Sequence, residues 1–505
     1  MNHDKRDAAF GEMSEQIGPE LYPDHKVPAV NEFRAKRPFI KSVVNSVVLG
    51  LVLLLFAQLP GCGGQDRITE QQAYTIGLQA YIWGYPLVSN SNRFARFSTV
   101  TELRIANHTL PQSPINQICF LSDYVTADEH SIVAPNHDTI YGSAWLDLSA
   151  EPIVIRIPDM GSRYWIFEIC DFYTDVFASP GTRLGSPPGN YLVVGPTWNG
   201  SVPPGIVQVI RAPTHRVYCL PRVLLKGEDD LPDVLPLINS ITIAHLSQMD
   251  TAPTYIDYAA VKQVEIPNFL PNWVPDDSFW DTLHAAILDT EPRRGEEGMV
   301  LSFLAILNMR HDPAVQAGLA AALAEGRKLV EQSGSFSNLG EKVGNGWTLL
   351  RTGGRFGSDY LTRAAAAFSF IYYNLLEDAA YYLQVYDTDG NLLDGAKSYR
   401  LHFNAAELPP CGTDAFWSVT LYGSDHFLVP NPAGIYNIGT VTEGLQYNSD
   451  GSLDIYLQNV SPPGLESNWL PTPGSGIFEL TLRVYIPGEN VLNGTYVPPS
   501  ITPVK

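Results

Sequence analysis

Between Ala134 and Trp145 the chain reads APNHDTIYGSAW, which brings a histidine, an aspartate, a threonine and a tyrosine into the five positions from His137 to Tyr141. A carboxylate and a phenol so close in sequence could act as an acid/base pair if both face one pocket. A second stretch, CDFYTDVFASPGTR, offers Asp171, Tyr173, Asp175 and Arg183, and an Asp and an Arg meeting at one sheet end could orient a polar ligand. Asp138, Tyr141, Asp171 and Arg183 are therefore the candidate catalytic residues. Asn136, Asn468 and Trp469 are the candidate ligand-binding residues, since an amide beside an indole suits hydrogen bonding to a sugar and stacking on it. A plainer reading competes: Asn136 and Asp138 bond backbone N–H groups in a tight turn, and Thr139 and Tyr141 begin the next strand.

Metal chemistry is not expected. Asp128, Glu129, His130, His137 and Asp138 could be drawn together, but their spacing matches no two-histidine motif. The chain has no HExxH, GxSxG, GxxxxGK[ST] or CxxC, and no GxGxxG after a strand. Nucleotide, zinc-protease and serine-hydrolase chemistries lose their usual carriers, and no cofactor is expected. A two-carboxylate mechanism stays open, because carboxylates that converge in space need no fixed spacing in sequence.

The elements that must position these residues follow from periodicity. In TEQQAYTIGLQAYIWGYP, Thr69 and Gln72 have capping-box spacing, Ala73, Ile76, Ala80 and Trp83 share a helical face, and Pro86 is expected to end the helix. From Ile132 to Val223 short strands such as SIVA, PIVIRIP, RYWIFEICDFY and RVYCLPRVLL are separated by Gly, Pro and Asn. Between Pro232 and Leu376 helices take over. FWDTLHAAIL is one, and DPAVQAGLAAALAEGRKLVEQ has Asp312 as N-cap and Pro313 at the first helical position. YLTRAAAAFSFIYYNLL is apolar nearly all round, so Phe368, Phe370, Tyr372 and Tyr373 read as core on a packed interior helix.

Strands return from Tyr381. FELTLRVYIP alternates, with Phe478, Leu480, Leu482, Val484 and Ile486 towards a core and Glu479, Thr481, Arg483 and Tyr485 towards water or a ligand. SLDIYLQNV alternates likewise, and Asp389-Gly390 and Asp450-Gly451 are expected hairpin turns. The fold class is α+β: two antiparallel sandwich or jelly-roll-like β domains with a helical middle.

At the other end of the chain, Val43 to Leu59 has an uninterrupted apolar centre of 11 residues, short for a spanning helix but right for the core of a signal peptide. Arg34, Lys36, Arg37 and Lys41 flank it, and LPGC follows, which resembles a bacterial lipobox with Cys62 as the lipidated residue. The expected organisation is a polar extension over 1–42, a lipoprotein-type signal or membrane anchor over 43–62, a first β domain over 68–225, a helical region over 226–376 and a second β domain over 377–500. The body would sit outside the cytoplasm in a bacterial envelope, anchored through a lipid at Cys62 or through the apolar segment 43–59.

The net charge is −21, and from Cys62 onward 25 basic residues face 46 acidic ones. Such a surface repels phosphate backbones, so nucleic acid is not an expected partner. An oligomer stays open among the partners. Beyond Cys62 the cysteines are Cys119, Cys170, Cys219 and Cys411. An exported setting permits pairing among them, while isolated buried thiols are the simpler expectation.

Several longer stretches carry a family resemblance. APNHDTIYGSAWLDLSAEPIVIRIPD, CDFYTDVFASPGTR and LVVGP resemble the family called domain of unknown function 1254. LPPCGTDAFWSVTLY, FLVPNPAGIYNIG, DGSLDIYLQ, NWLPTPGSGIFELTLRVYIP and GTYVPP resemble its C-terminal companion, domain of unknown function 1214. The resemblance implies two antiparallel β domains with helices between, and it brings no established activity. The family pattern Pro-Asn-x-Asp-Thr-x-Tyr falls on Pro135, Asn136, Asp138, Thr139 and Tyr141, with His137 in a variable position. Where the family commonly has Arg-Tyr after Asn-Pro, this chain has Ile435-Tyr436, so any anion contact made by that arginine is missing here.

The resulting expectation is an envelope lipoprotein whose β domains bind a small polar or glycan-like ligand, or a partner. The alternative is an envelope hydrolase or lyase. Both put the working groove where the β domains meet. The alternative requires Asp138 and Asp171 to converge.

Overall fold

The computed structural model describes residues 68–266 and 273–504. The segment 43–62, with Cys62, and the extension 1–42 lie outside the described residues. Residues 61–505 belong to one compact unit. Helix and strand each take 27% of the chain, which fits an α+β build of sheet-rich domains with helices between them.

The first sandwich has a five-stranded antiparallel sheet, ordered Cys119–Phe120, Thr139–Asp147, Arg216–Leu224, Trp165–Asp171 and Val176–Ala178. Its second sheet is ordered Thr242–His245, Ile153–Ile157, Gly189–Val194 and Ile206–Arg211, the last pair being parallel. Ile140, Ile169 and Val217 of one sheet share a core with Ile153, Ile155 and Val193 of the other. In the second sandwich a six-stranded sheet, centred on Ala379–Gln384, Phe478–Tyr485 and Trp417–Gly423, packs over a four-stranded one that holds Ser398–Phe403 and Leu453–Gln458.

Expectations of local structure fail at four places. The helix Glu70–Ser98 starts with the expected capping box but runs on through Pro86, held on both sides by the helices Phe279–Asp289 and Pro313–Gly334. Packing along its length outweighs the one hydrogen bond that proline removes. SIVA is an irregular loop and not a strand. The helix over YLTRAAAAFSFIYYNLL stops at Ser369, and Ile371 and Tyr372 turn to φ 21° and 53°. Asp450-Gly451 makes a turn, but the strand after it pairs with Ser398–Phe403 and Trp469–Pro471 rather than with Asn437–Gly439, the strand before the turn.

The second face of Phe478–Tyr485 needs the largest revision. Every residue of this strand is buried. Phe478, Leu480, Leu482 and Val484 enter the core of the second sandwich as expected, whereas Tyr485 joins the core of the first. The polar face meets the other sandwich, not water. There Glu479 accepts from His426 of its own sandwich at 2.7 Å, and Tyr485 donates across to Asp138 at 3.2 Å.

Close helix packing offers a simple test of the helical layer. A Cβ on Gly318 would lie 2.4 Å from the Glu70 carbonyl oxygen and 2.7 Å from Ala73 Cβ, so Pro313–Gly334 approaches Glu70–Ser98 where only glycine fits. Gly318→Ala is expected to cost about 1–3 kcal/mol in urea unfolding, typical of overpacking. A wild-type midpoint would show that the two helices separate freely.

Candidate functional site

The strand Thr139–Asp147 carries Tyr141, and its antiparallel neighbour Arg216–Leu224 carries Arg222 directly opposite. In the second sandwich Tyr381 and Arg483 are paired in the same way on adjacent strands. Cross-strand register therefore makes a Tyr–Arg pair in each sandwich, with each guanidinium over its ring at 5.5 Å and 5.6 Å. Both pairs line one cavity of about 30 Å³, room for about two water molecules. Leu220, Phe370 and Tyr372 complete its apolar wall.

The two arginines are neutralised differently. Arg222 forms an ion pair with the fully buried Glu168 and also donates to Asn374 Oδ1 at 2.8 Å and to the Tyr372 carbonyl at 3.3 Å. Arg483, 2% exposed, donates to Thr420 Oγ1 at 2.9 Å and to the Ala134 carbonyl at 2.8 Å. Among the described residues no carboxylate lies within ion-pair distance of it. Asp138 is the nearby negative charge, but its oxygens are occupied: Oδ2 accepts from Ser418 Oγ at 2.7 Å and Tyr485 at 3.2 Å, and Oδ1 from Asn437 Nδ2 at 2.5 Å. Burial pushes the Asp138 carboxyl above its ordinary range, and the charge of Arg483 opposes that rise.

The cavity wall is strained. Ala134, Ile371 and Tyr372 line it with φ of 48°, 21° and 53°. A β-branched residue at positive φ is a genuine outlier. Such conformations cost about 1–3 kcal/mol each and gather where a site over-determines the backbone.

The motif that opened the sequence is the stitching between the sandwiches. Ala134 N donates to the His426 carbonyl at 2.9 Å, the Pro135 carbonyl accepts from Tyr422 at 2.6 Å, and the His137 carbonyl accepts from Asn437 at 3.1 Å. Asn136 keeps the turn role expected of it: its Oδ1 accepts from the N–H groups of Asp138 and Thr139, both at 3.0 Å, while its own N–H donates to Tyr141 Oη at 3.0 Å. Asp138 does not bond the turn backbone and reaches across the seam instead. His137 stacks on Tyr124 with centroids 4.4 Å apart and contacts the Val125 carbonyl through Nδ1, so it serves packing.

The four candidate catalytic residues are not brought together. Asp171 pairs with Val217 and Thr139 with Leu224, so Asp138 and Asp171 sit at opposite ends of the sheet, about seven residues or ~23 Å apart along the strand. Arg183 goes to a third place, an ion pair with Asp378 at 2.5 Å. Only Tyr141 lines the cavity, with Asp138 just behind its wall. Asn468 is fully used by Gln446 and by the Asp454 carbonyl, and the Trp469 indole donates to the Gln458 carbonyl at 2.7 Å. These two pin a turn to its sheet.

Asp171 lies instead in a buried charge cluster. It accepts from the N–H groups of Tyr173 and Asp175, and Asp175 pairs with Arg293 at 2.5 Å. Burial, helped by the charge of Asp175, pushes Asp171 up to about 7. A carboxyl raised on folding favours the protonated native state, so its contribution is complete below pH ~4 and is lost as pH rises towards 7. Urea midpoints should therefore fall between pH 5 and pH 8, and Asp171→Asn, which keeps both N–H acceptances, should flatten that fall. An unchanged slope would show that Asp171 titrates normally.

Sequence reading did not single out Arg222 or Tyr381, took Tyr372 for core, and put Arg483 on a face towards water or a ligand without a role in a site. One signal was available: an arginine embedded in an otherwise apolar strand, as in RVYCLPRVLL and FELTLRVYIP, must find buried partners. Among the described residues there is no group of three or more metal-ligating side chains, the four cysteines are free, and no helix is long and apolar enough to cross a membrane.

Comparison with known proteins gives the chain its relatives. Residues 115–245 match the family described as Protein of unknown function (DUF1254), and residues 378–489 match that described as Protein of unknown function (DUF1214). The crystal structure of the VPA0106 protein from Vibrio parahaemolyticus is similar at 20% identity and a TM-score of 0.58, over 86% of this chain and 100% of that one. At that identity the likeness shows the fold alone. An uncharacterised protein from Burkholderia cenocepacia aligns over 92% of this chain and 98% of its own at 10% identity, with a TM-score of 0.42. No curated protein matches the chain.

Proposed function

From a chain in which the DUF1254 segment supplies Tyr141 and Arg222 and the DUF1214 segment supplies Tyr381 and Arg483, we propose a ligand-binding protein that holds a small carboxylate between its two sandwiches. The observation that carries this reading is Arg483: a guanidinium 2% exposed, on the wall of a cavity, with no carboxylate at ion-pair distance among the described residues and with the nearby Asp138 already taken up by Ser418, Asn437 and Tyr485. A buried charge without a directly paired counter-ion is costly, and a planar fork fits a carboxylate in two parallel hydrogen bonds. The strained wall supports the same location.

The hydrolase or lyase alternative loses its proposed machinery, because Asp138 and Asp171 do not converge. A glycan platform loses support because Asn468 and Trp469 are engaged with the backbone. In this reading the body hangs from a lipid at Cys62 outside the cytoplasm. LPGC is its support.

Titration calorimetry of the full chain in detergent with acetate and propionate tests the carboxylate site. Binding is expected in the wild type, with a loss of at least tenfold in Arg483→Lys, which keeps the charge but not the fork. Failure of both acids to bind, or equal binding by the variant, overturns it.

A further inference from the structure

A second cavity lies against the first. It is about 20 Å³ and shares Ile132, Pro135, Tyr141 and Leu220 with it. The two chambers therefore meet at one partition. Their chemistry differs: both cations, Arg222 and Arg483, are in the first, whereas the second is bounded mainly by Leu110, Pro111, Val125 and Leu220.

Part of the partition is irregular backbone. Ile132 and Pro135 belong to the irregular loop in which Ala134 holds φ 48°. Tyr141 is only partly buried, and its hydroxyl is held by one N–H, that of Asn136.

Resting on the carboxylate reading, we infer that the ligand is a short-chain monocarboxylate, its head on Arg483 and its apolar tail in the second chamber. Size sets the chain length. The chambers together have room for about three or four water molecules, which corresponds to a carboxylate with about two to four further carbons. A second carboxylate at the far end would lose its water in a largely apolar chamber, where burial already pushes the Glu129 carboxyl up towards its protonated form. Its Oε1 already accepts from the Ser131 and Ile132 N–H groups, and among the described residues no cation lines this chamber, the nearby Arg93 being turned to the Ser131 carbonyl at 2.7 Å.

The experiment is calorimetric titration of the full chain with acetate, propionate, butyrate, valerate, dodecanoate and succinate. Each buried methylene should tighten binding about fourfold, up to butyrate or valerate. Dodecanoate and succinate should bind no better than acetate. Val125→Phe, which fills the second chamber, should abolish the gain with chain length and leave acetate binding intact. Should that variant not fold, Val125→Ile should shorten the optimum by about one carbon. Acetate binding without any chain-length gain, or tighter binding of dodecanoate or succinate, overturns the tail assignment and leaves the carboxylate site standing. No binding by any acid removes both.

Discussion

Asp138→Ala is expected to lower the stability of the folded chain by about 3–5 kcal/mol, the usual loss when one member of a buried charged network is removed. Asp138 is 1% exposed and takes hydrogen bonds from Ser418, Asn437 and Tyr485, all on the second sandwich, while its own backbone leads into the strand Thr139–Asp147 of the first. Truncation leaves the buried hydroxyls of Ser418 and Tyr485 without this acceptor, and each costs roughly 1–3 kcal/mol to leave unmet, while the half-buried Asn437 amide keeps the His137 carbonyl. Arg483 loses its nearby negative charge as well. Asp138→Asn keeps an oxygen for one or two of the donors and should lose less. Urea unfolding of both variants at pH 7 is the check. A wild-type midpoint for Asp138→Ala would mean that the seam does not depend on this carboxylate, and that the motif owes its form to something else.

Glu168→Ala should be comparably damaging, by about 3–5 kcal/mol, and for a more general reason. Glu168 is fully buried and neutralises Arg222, which is itself 5% exposed. Removing it strands a guanidinium in the interior. The double replacement Glu168→Leu with Arg222→Met removes both charges and restores apolar volume, so it should fold with much less loss than Glu168→Ala alone. That pattern is what a buried pair gives when desolvation rivals attraction. If the double variant is as unstable as the two single variants summed, the pair does not act as a unit. Because Arg222 lines the cavity, the double variant should also weaken carboxylate binding even where it folds well.

Both predictions concern residues whose importance was unevenly visible. Asp138 and Tyr141 stood out in the sequence because a turn motif surrounds them, and the structure gives both a part in or beside the cavity. Asp171 stood out equally, yet strand register carries it to the far end of the same sheet. Register is set by pairing across the sheet, which no local spacing reveals. Arg483 was assigned to a polar face open to water or ligand because alternation alone cannot tell solvent from a second domain. Period 2 says which residues share a face, not what that face meets.

The chain's own pattern settled a good deal: the α+β build, the capping box at Thr69, the Asp312 cap, the alternating strands and the two family resemblances. These depend on residues a few positions apart, where local hydrogen bonding and periodicity decide. Tertiary structure alone decided that Pro86 lies within a helix, that the polar face of Phe478–Tyr485 is an interdomain seam, and that one Tyr–Arg pair from each sandwich meets at a common cavity. Tyr141 and Arg483 are 342 positions apart, and their meeting depends on how two sheets pack, a property held by the whole fold rather than by any stretch of it.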